Sequence, residues 1–493
     1  MHDWVREAAA RHGDRPALKV APGRVWTWHE LALKVDGLAG QLRTVGVDAG
    51  SRVVWIGSSA EHGVSLLFAL ARLTAVFVPL NVRLTARELR VQTEWAGANV
   101  VLCARNTEAQ AARLADLCPV YSLDPPEYPG VRRLPEPSGV VQPSVAESTQ
   151  SVQSVMFTSG TTGTPKGAQI TFGNQLASAR ASALRTGASA QDLWLLTLPL
   201  YHIGGMTIPI RAALSGACVV EYETGTGFDA TRLARIVEVE RITHVSLVPT
   251  MLHRLLEMGF AGTPDLQVIL LGGAAAPVEL LERAWGRGLP VAPTYGLTEA
   301  CSQVATMAAN DAIRKPGCVG RPLDGTTVTI LRDDGTEAEV GEVGEIVVRG
   351  PTVFAGYLNA ANDSALRDGA LYTGDMGYLD EDGALSVVQR RTDLIVTGGE
   401  NVYPAEVEAI LRAHPSVADA CVVGLAHPEW GQQVAAAVVI KPESELDLAA
   451  LDVWCRERLA GYKRPRRFLS VPELPMTASG KVIRRSVVAM FSE

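Results

Sequence analysis

Apolar and polar positions follow two rhythms along the chain. Residues 28–45 place apolar side chains at intervals of three and four, the period of a helix with one buried face; residues 52–56 form a short continuous apolar run; residues 60–73 return to helical spacing. Further pieces at 75–79, 85–96 and 99–103 continue the pattern until 124–150, where Pro, Ser and Glu accumulate and a surface connection is expected. After a strand-like run at 152–157, apolar runs at 193–198, 218–222, 244–248 and 268–271 are each followed by a helical stretch. Strands that read as unbroken apolar runs between helices predict a mostly parallel sheet covered on both faces, hence an α/β architecture.

Around residue 319 the rhythm shortens to β pieces and turns, at 326–331, Asp333-Asp334-Gly335 and 345–349. These predict a small β-barrel subdomain at about 318–391, completing a large N-terminal domain over residues 1–391. A separate α+β domain is expected over 392–493, with a helix at 404–413, strands at 420–423 and 434–440, and a helix at 448–459.

The chain has 493 residues, 47% hydrophobic and 20% charged, enough to bury several cores. Its 45 Lys and Arg against 53 Asp and Glu leave a net charge of -8, which argues against general affinity for nucleic acid or anionic membrane. The basic cluster Lys463, Arg464, Arg466, Arg467 reads as a solvated face. Seven widely spaced cysteines with no C-x-x-C pair indicate neither a disulfide framework nor a zinc site. Charges at Asp3, Arg6 and Glu7 stand where a signal peptide is apolar, and the most apolar window, 63–78, contains Arg72 and stops at Pro79. A cytoplasmic protein without a membrane span is expected; composition leaves a homodimer open.

The densest candidate chemistry is the decapeptide TSGTTGTPKG at 158–167. Gly160 and Gly163 let backbone N–H groups approach an anion, Thr158, Ser159, Thr161 and Thr162 add hydroxyl donors, and Lys166 adds charge, together a phosphate cradle. It is not a Walker A loop: aligned on Gly160, Pro165 stands where the second glycine belongs and Gly167 where Ser or Thr belongs.

This decapeptide resembles the signature loop of the adenylate-forming superfamily, which includes acyl-CoA synthetases, peptide-synthetase adenylation domains and luciferases. The resemblance runs through nearly the whole chain in the expected order. Tyr295-Gly296-Leu297-Thr298-Glu299 is similar to the family's YGxTE motif, which implies adenine packing by Tyr295, an α-phosphate contact by Thr298 and Mg²⁺ held by Glu299; the plainer alternative is a helix start with Thr298 and Glu299 as ordinary capping residues. Gly273, with Gly296, is implied in the nucleotide site. Tyr372-Thr373-Gly374-Asp375 matches the segment whose carboxylate accepts from both ribose hydroxyls, here Asp375. Gln389-Arg390-Arg391-Thr392-Asp393 stands where the family has GRxxD, making Arg390 the second ribose contact and Thr392 the hinge of a mobile lid, although Gln389 replaces the usual glycine. The segment from Pro475 to Lys481 resembles PxxxxGK and implies Lys481 as the adenylation lysine. Gly398, Gly399 and Glu400 belong to a GGENxYP stretch implied to line the CoA channel.

What the resemblance implies is an enzyme that uses ATP with Mg²⁺ to convert a small carboxylate to an acyl-adenylate and then passes the acyl group to CoA. The acyl pocket is expected among 200–205, 271–274 and the residues after Glu299, with His202 as its gate or simply a core histidine. Segments 202–206, 246–250 and 298–303 look like the 2-succinylbenzoate-CoA ligase branch, of menaquinone biosynthesis. Arg211 and Ser302 are then candidates for the second carboxylate of that substrate, with a structural ion pair the alternative for Arg211. A ligase for a medium-chain fatty acid or a plain aryl acid, and a non-catalytic nucleotide-binding protein, are the competing readings.

Overall fold

The computed structural model describes residues 3–20, 23–137, 149–158, 165–222, 227–358, 365–389, 394–441, 447–476 and 482–491. The chain divides into two compact units. The first comprises residues 1–82, 93–156 and 167–390; the second comprises 83–92, 157–166 and 391–493.

The first unit is built on two large α/β sheets. One has eight strands in the order Ser302–Thr306, Val291–Leu297, Val268–Leu271, His244–Leu247, Leu193–Leu196, Cys218–Glu221, Pro16–Val20, Arg24–Thr27. From Val291–Leu297 to Pro16–Val20 every pairing is parallel, and the two edge strands run antiparallel. The apolar runs foreseen at 193–198, 218–222, 244–248 and 268–271 are these central strands. They are apolar without interruption because both faces are buried: Trp194, Val219 and Leu270 enter one core, while Leu195, Val220 and Ile269 enter another beneath the helices Ala230–Val239, Pro249–Glu257 and Val278–Trp285.

The second sheet has seven strands, with Arg52–Ile56 at its centre between Val76–Pro79 and Val100–Cys103, all parallel. Its outermost strand, Arg132–Arg133, falls inside the stretch expected to be only a connection. Trp55 and Phe77 of this sheet share one buried cluster with Trp194 and Val219 of the first, through apolar helices such as Trp28–Thr44 and Ala60–Leu73.

Helix Ala60–Leu73 is buried nearly all round, yet it holds Arg72, whose Nε lies 2.7 Å from Asp3 and whose Nη1 lies 2.6 Å from Asp36. The two carboxylates are what allow the guanidinium inside. No helix among the described residues is long and apolar enough to cross a membrane. The cysteines are all free thiols. An antiparallel five-stranded sheet, Thr327–Leu331, Gly344–Arg349, Ala370–Leu379, Leu366–Arg367 and Leu385–Gln389, completes this unit.

In the second unit, Gly431–Ile440 pairs with Val417–His427, with Ile395–Thr397 and, in parallel, with Arg467–Ser470. Period-two alternation splits its two long strands between two cores. Ala420, Val422, Val434 and Ala436 face the helices Pro404–Arg412 and Leu448–Arg456, whereas Cys421, Val423, Ala435 and Ala437 pack with Val487 and Phe491 of the C-terminal segment.

Of the basic cluster, Arg466 and Arg467 are exposed as a solvated face requires, but Lys463 turns inward. Lys463 is 2% exposed, and its Nζ lies 2.8 Å from Glu88 and 2.7 Å from Glu406. Burial opposes its charge, but the Glu406 and Glu88 carboxylates outweigh this and hold the ammonium's pKa above its ordinary value. Lys463→Ala leaves two carboxylates buried without their cation, so it should destabilise the second unit by about 3–5 kcal/mol. Hydrogen exchange of the amides in Pro404–Arg412 measures this; unchanged protection would contradict it.

Candidate active site

Four neighbouring parallel strands carry most of the predicted site. Their registers set Trp194 opposite His244, His244 opposite Val268, and Ile269 opposite Val291. Their carboxyl ends therefore emerge along one edge, and the segments that leave it are 197–202, 248–250, 272–274 and 298–300. The crevice beyond that edge is where open α/β sheets bind ligands. His202 stands there as the N-cap of helix Ile203–Ser215, half-buried, with the Tyr201 ring edge-on at 4.8 Å. Gly273 is exposed with φ of 80°, a backbone only glycine adopts cheaply.

Tyr295, Gly296 and Leu297 close the strand Val291–Leu297, and Thr298–Ala300 form a single 3-10 turn rather than the start of a longer helix. The chain then reverses sharply, with Cys301 at φ of 51° and Ser302 at 91°. Non-glycine residues held there store backbone strain, a feature that concentrates at functional sites. The reversal brings the Ser302 carbonyl so close to Gly296 that a Cβ on Gly296 would sit 1.6 Å from that oxygen.

Two side-chain ties link distant motifs at this edge. The Tyr295 hydroxyl donates to Asp375 Oδ2 at 2.7 Å, so the tyrosine motif and the Thr373-Gly374-Asp375 segment meet. Tyr295 is only 2% exposed, so little of its ring is open, and its hydroxyl holds the Asp375 carboxylate in place. The Tyr357 hydroxyl donates to the Glu299 carboxylate, and the Phe354 amide donates to the Glu299 carbonyl at 2.9 Å. Tyr357 is itself bridged to Ala168, and the Leu358 amide donates to Gly167 at 2.7 Å. Glu299 is thereby fixed to the backbone that leaves the glycine-rich loop.

Beneath the edge lies Arg211, 3% exposed. Its Nη2 donates to Ser302 Oγ at a long 3.4 Å, and its guanidinium sits 5.7 Å from the centre of the Trp194 ring. No carboxylate within ion-pair distance accompanies it among the described residues, so the structural ion pair is not what holds it. Burial pushes its pKa down to about 10, with Cys301 offsetting a little. The group remains cationic at neutral pH. Burial also holds His244, stacked on Trp194 at 4.6 Å, below its ordinary value.

In the second unit, Thr158 ends the strand Val152–Thr158 and its hydroxyl donates to the Lys166 carbonyl at 3.4 Å; Lys166 opens the strand Lys166–Thr171. Gly398 and Gly399, with φ of 58° and 85°, form the two-residue tip of a hairpin between Ile395–Thr397 and Glu400–Val402, so turn geometry alone demands both glycines. Glu400 is 6% exposed and accepts from Arg83 Nη1 at 3.1 Å. Ser159, Gly160, Thr161, Thr162, Gly163, Arg390, Thr392 and Lys481 lie outside the described residues.

The AMP-binding enzyme family model matches residues 5–358, and the model for the AMP-binding enzyme C-terminal domain matches 406–481. The chain belongs to the AMP-binding enzyme family. Among curated relatives, a 2-succinylbenzoate–CoA ligase of Geobacillus kaustophilus is 40% identical, covering 99% of this chain and 97% of the relative. A 2-succinylbenzoate–CoA ligase of Bacillus licheniformis is 37% identical over 98% of this chain and 99% of its own. Among solved structures, a double mutant of o-succinylbenzoate CoA synthetase from Bacillus subtilis superposes with a TM-score of 0.91 at 35% identity, covering 99% of this chain and 98% of that one. An amide bond synthetase from Marinactinospora thermotolerans gives a TM-score of 0.89 at 29% identity, with 99% of both chains covered.

Sequence patterns missed two residues of this AMP-binding enzyme that geometry brings to the site. Tyr357 sits in a short β piece with no periodic signal, and Trp194 looks like any core aromatic. The close approach at Gly296 gives a direct test. Gly296→Ala drives a methyl into backbone that cannot rotate aside and should cost about 3 kcal/mol, the upper end of overpacking penalties. Gly37→Ala, in helix Trp28–Thr44 with nothing within 4 Å, should instead stabilise by about 0.5–1 kcal/mol. Urea denaturation of both variants compares them; equal effects would contradict the assigned contact.

Proposed function

We propose that this AMP-binding enzyme is a 2-succinylbenzoate–CoA ligase of menaquinone biosynthesis, working in the cytoplasm, with a homodimer as the assembly for sedimentation to test. The observation that carries the choice of acid is Arg211, a buried cation at the proposed acyl pocket with no carboxylate of its own among the described residues. A dicarboxylate substrate supplies that carboxylate, whereas a fatty acid or plain benzoate leaves the charge unmatched. Related Bacillus subtilis enzymes have been solved with the acyl-adenylate OSB-AMP, with ATP and magnesium, and with the product analogue OSB-NCoA. Those complexes support the same reading.

In the first half-reaction a carboxylate oxygen of the acid attacks the α-phosphorus of ATP, and the bond to pyrophosphate breaks. In the second, the CoA sulfur loses its proton, bonds to the acyl carbon, and AMP leaves. Glu299, steadied by Tyr357, is the residue assigned to the magnesium of ATP. One fixed carboxylate, with no group of three His, Cys, Asp or Glu among the described residues, suits an ion carried mainly by phosphates. Bound there, Mg²⁺ neutralises charge on the triphosphate. Asp375, oriented by Tyr295, accepts from the ribose hydroxyls, and Arg390 is assigned as the second ribose contact. The loop from Thr158 to Lys166 takes the phosphates and Thr298 the α-phosphate. His202, Arg211 and Ser302 border the acyl group, Gly398 to Glu400 the CoA thiol arm, and Thr392 is the hinge that changes the lid between half-reactions.

Lys481 is assigned to the charge that develops when carboxylate and α-phosphate meet. Lys481→Ala should lower 2-succinylbenzoate-dependent pyrophosphate exchange roughly a hundredfold or more, as removal of such a contact does, yet spare thioester formation from supplied acyl-AMP. Equal losses in both assays would contradict the role. Arg211 has the opposite stability signature from a paired charge. Its folded pKa lies below the unfolded one, so its charge opposes folding at neutral pH and the penalty fades only as pH rises through about 10. Arg211→Met should therefore hold or raise the melting temperature of the ligand-free protein while weakening use of the dicarboxylate by roughly 2–5 kcal/mol in kcat/KM. A lower melting temperature, or equal losses with a monocarboxylate, would make Arg211 structural.

A further inference from the structure

The strand Ala370–Leu379, which carries Asp375, does not pair evenly with its neighbour Gly344–Arg349. Glu345 stands opposite Met376 and Val347 opposite Tyr372, so three residues, 373 to 375, face the single residue Ile346. Extra residues of this kind form a bulge, a device that re-aims a side chain beside an active site. Here the re-aimed side chain is Asp375, which meets the Tyr295 hydroxyl at 2.7 Å.

We propose that Glu345 is a positioning residue for nucleotide binding: its carboxylate holds this bulge in shape and so sets Asp375 for the ribose hydroxyls. The inference rests on the ribose role assigned to Asp375 above and extends it to a residue of the neighbouring strand.

A bulge takes backbone N–H groups out of the ladder, and each one shielded from water needs another acceptor. Side chains supply those acceptors here. The Gly374 amide, in a residue with φ of 71°, donates to Glu345 Oε1 at 3.0 Å. The Asp375 amide donates to the Thr373 hydroxyl at 3.1 Å, and that hydroxyl donates in turn to the Ile346 carbonyl at 2.7 Å. Thr373 and Asp375 are buried and Gly374 is half-buried, which leaves water little room to replace these acceptors.

Glu345 is the charged member of the pair, and a carboxylate holds an amide more strongly than a neutral hydroxyl does. It grips, from the facing strand, the residue immediately before Asp375. With that grip removed, Gly374 has the widest rotational freedom of any residue type, and its rotation carries the Asp375 carboxylate away from Tyr295.

The test is calorimetric binding of AMP and of 2′,3′-dideoxy-AMP, which differ only in the hydroxyls assigned to Asp375. The wild type should bind AMP about tenfold or more tightly, the scale of hydrogen bonds to a charged group. Glu345→Ala should lose most of this preference by weakening AMP, with the affinity for dideoxy-AMP left in place. Glu345→Gln keeps an acceptor oxygen at the same reach and should keep the larger part of the preference. Glu345→Asp falls one methylene short of the amide and should lose it, which serves as the second probe where Glu345→Ala does not fold. A wild type that binds both nucleotides equally overturns the ribose role of Asp375 and this inference with it. A preference kept intact in Glu345→Ala and Glu345→Asp, or an equal loss for both nucleotides, overturns the inference alone, the equal loss marking Glu345 as merely structural.

Discussion

Parallel pairing is the constraint on which the first unit depends. Because neighbouring strands in the larger sheet advance in the same direction and in step, all their carboxyl ends arrive at one edge, and four separate stretches of sequence become neighbours there. The hydrogen bonds of the sheet thus do the long-range gathering, and side chains need only make the final adjustments. Tyr295 on Asp375 and Tyr357 on Glu299 are those adjustments. Each uses a rigid phenol to hold a carboxylate whose own rotamers would otherwise wander, the kind of support that holds a binding group in register.

The first unit buries two guanidiniums in different ways. Arg72 and Arg211 are both guanidiniums inside apolar helices, but Arg72 has Asp3 and Asp36 whereas Arg211 has a serine hydroxyl and an indole face. The first is a structural solution to burying charge. The second fits a site that takes its counter-ion from solution, in line with the general finding that binding sites depart from the stability optimum. The positive φ at Cys301 and Ser302 belongs to the same pattern, since the strained turn presents the hydroxyl that Arg211 reaches.

Much of this was legible in the amino-acid pattern. Unbroken apolar runs became parallel central strands because both their faces are covered, and the motifs fell at strand ends because glycines and hydroxyls there break the apolar period. The edge strand Arg132–Arg133 escaped notice because two arginines carry no apolar period at all. Lys463 was misread because net composition says nothing about which of several cations turns inward; the carboxylates of Glu406 and of Glu88, the latter 375 residues away, decide it. Ring exposure at Tyr295 and the partner of Glu299 were equally out of reach, since both depend on contacts between elements far apart in the chain.

The grouping of residues 83–92 with the C-terminal hundred has a practical meaning for protein engineering. Glu88 completes the burial of Lys463, and Arg83 completes that of Glu400, so the structural module at the C-terminus is discontinuous in the gene. A chimera that exchanges only the last hundred residues between related enzymes would graft in a lysine and a glutamate evolved against another donor's partners. Moving the short upstream segment together with the C-terminal part keeps each charge with the companion it was selected beside.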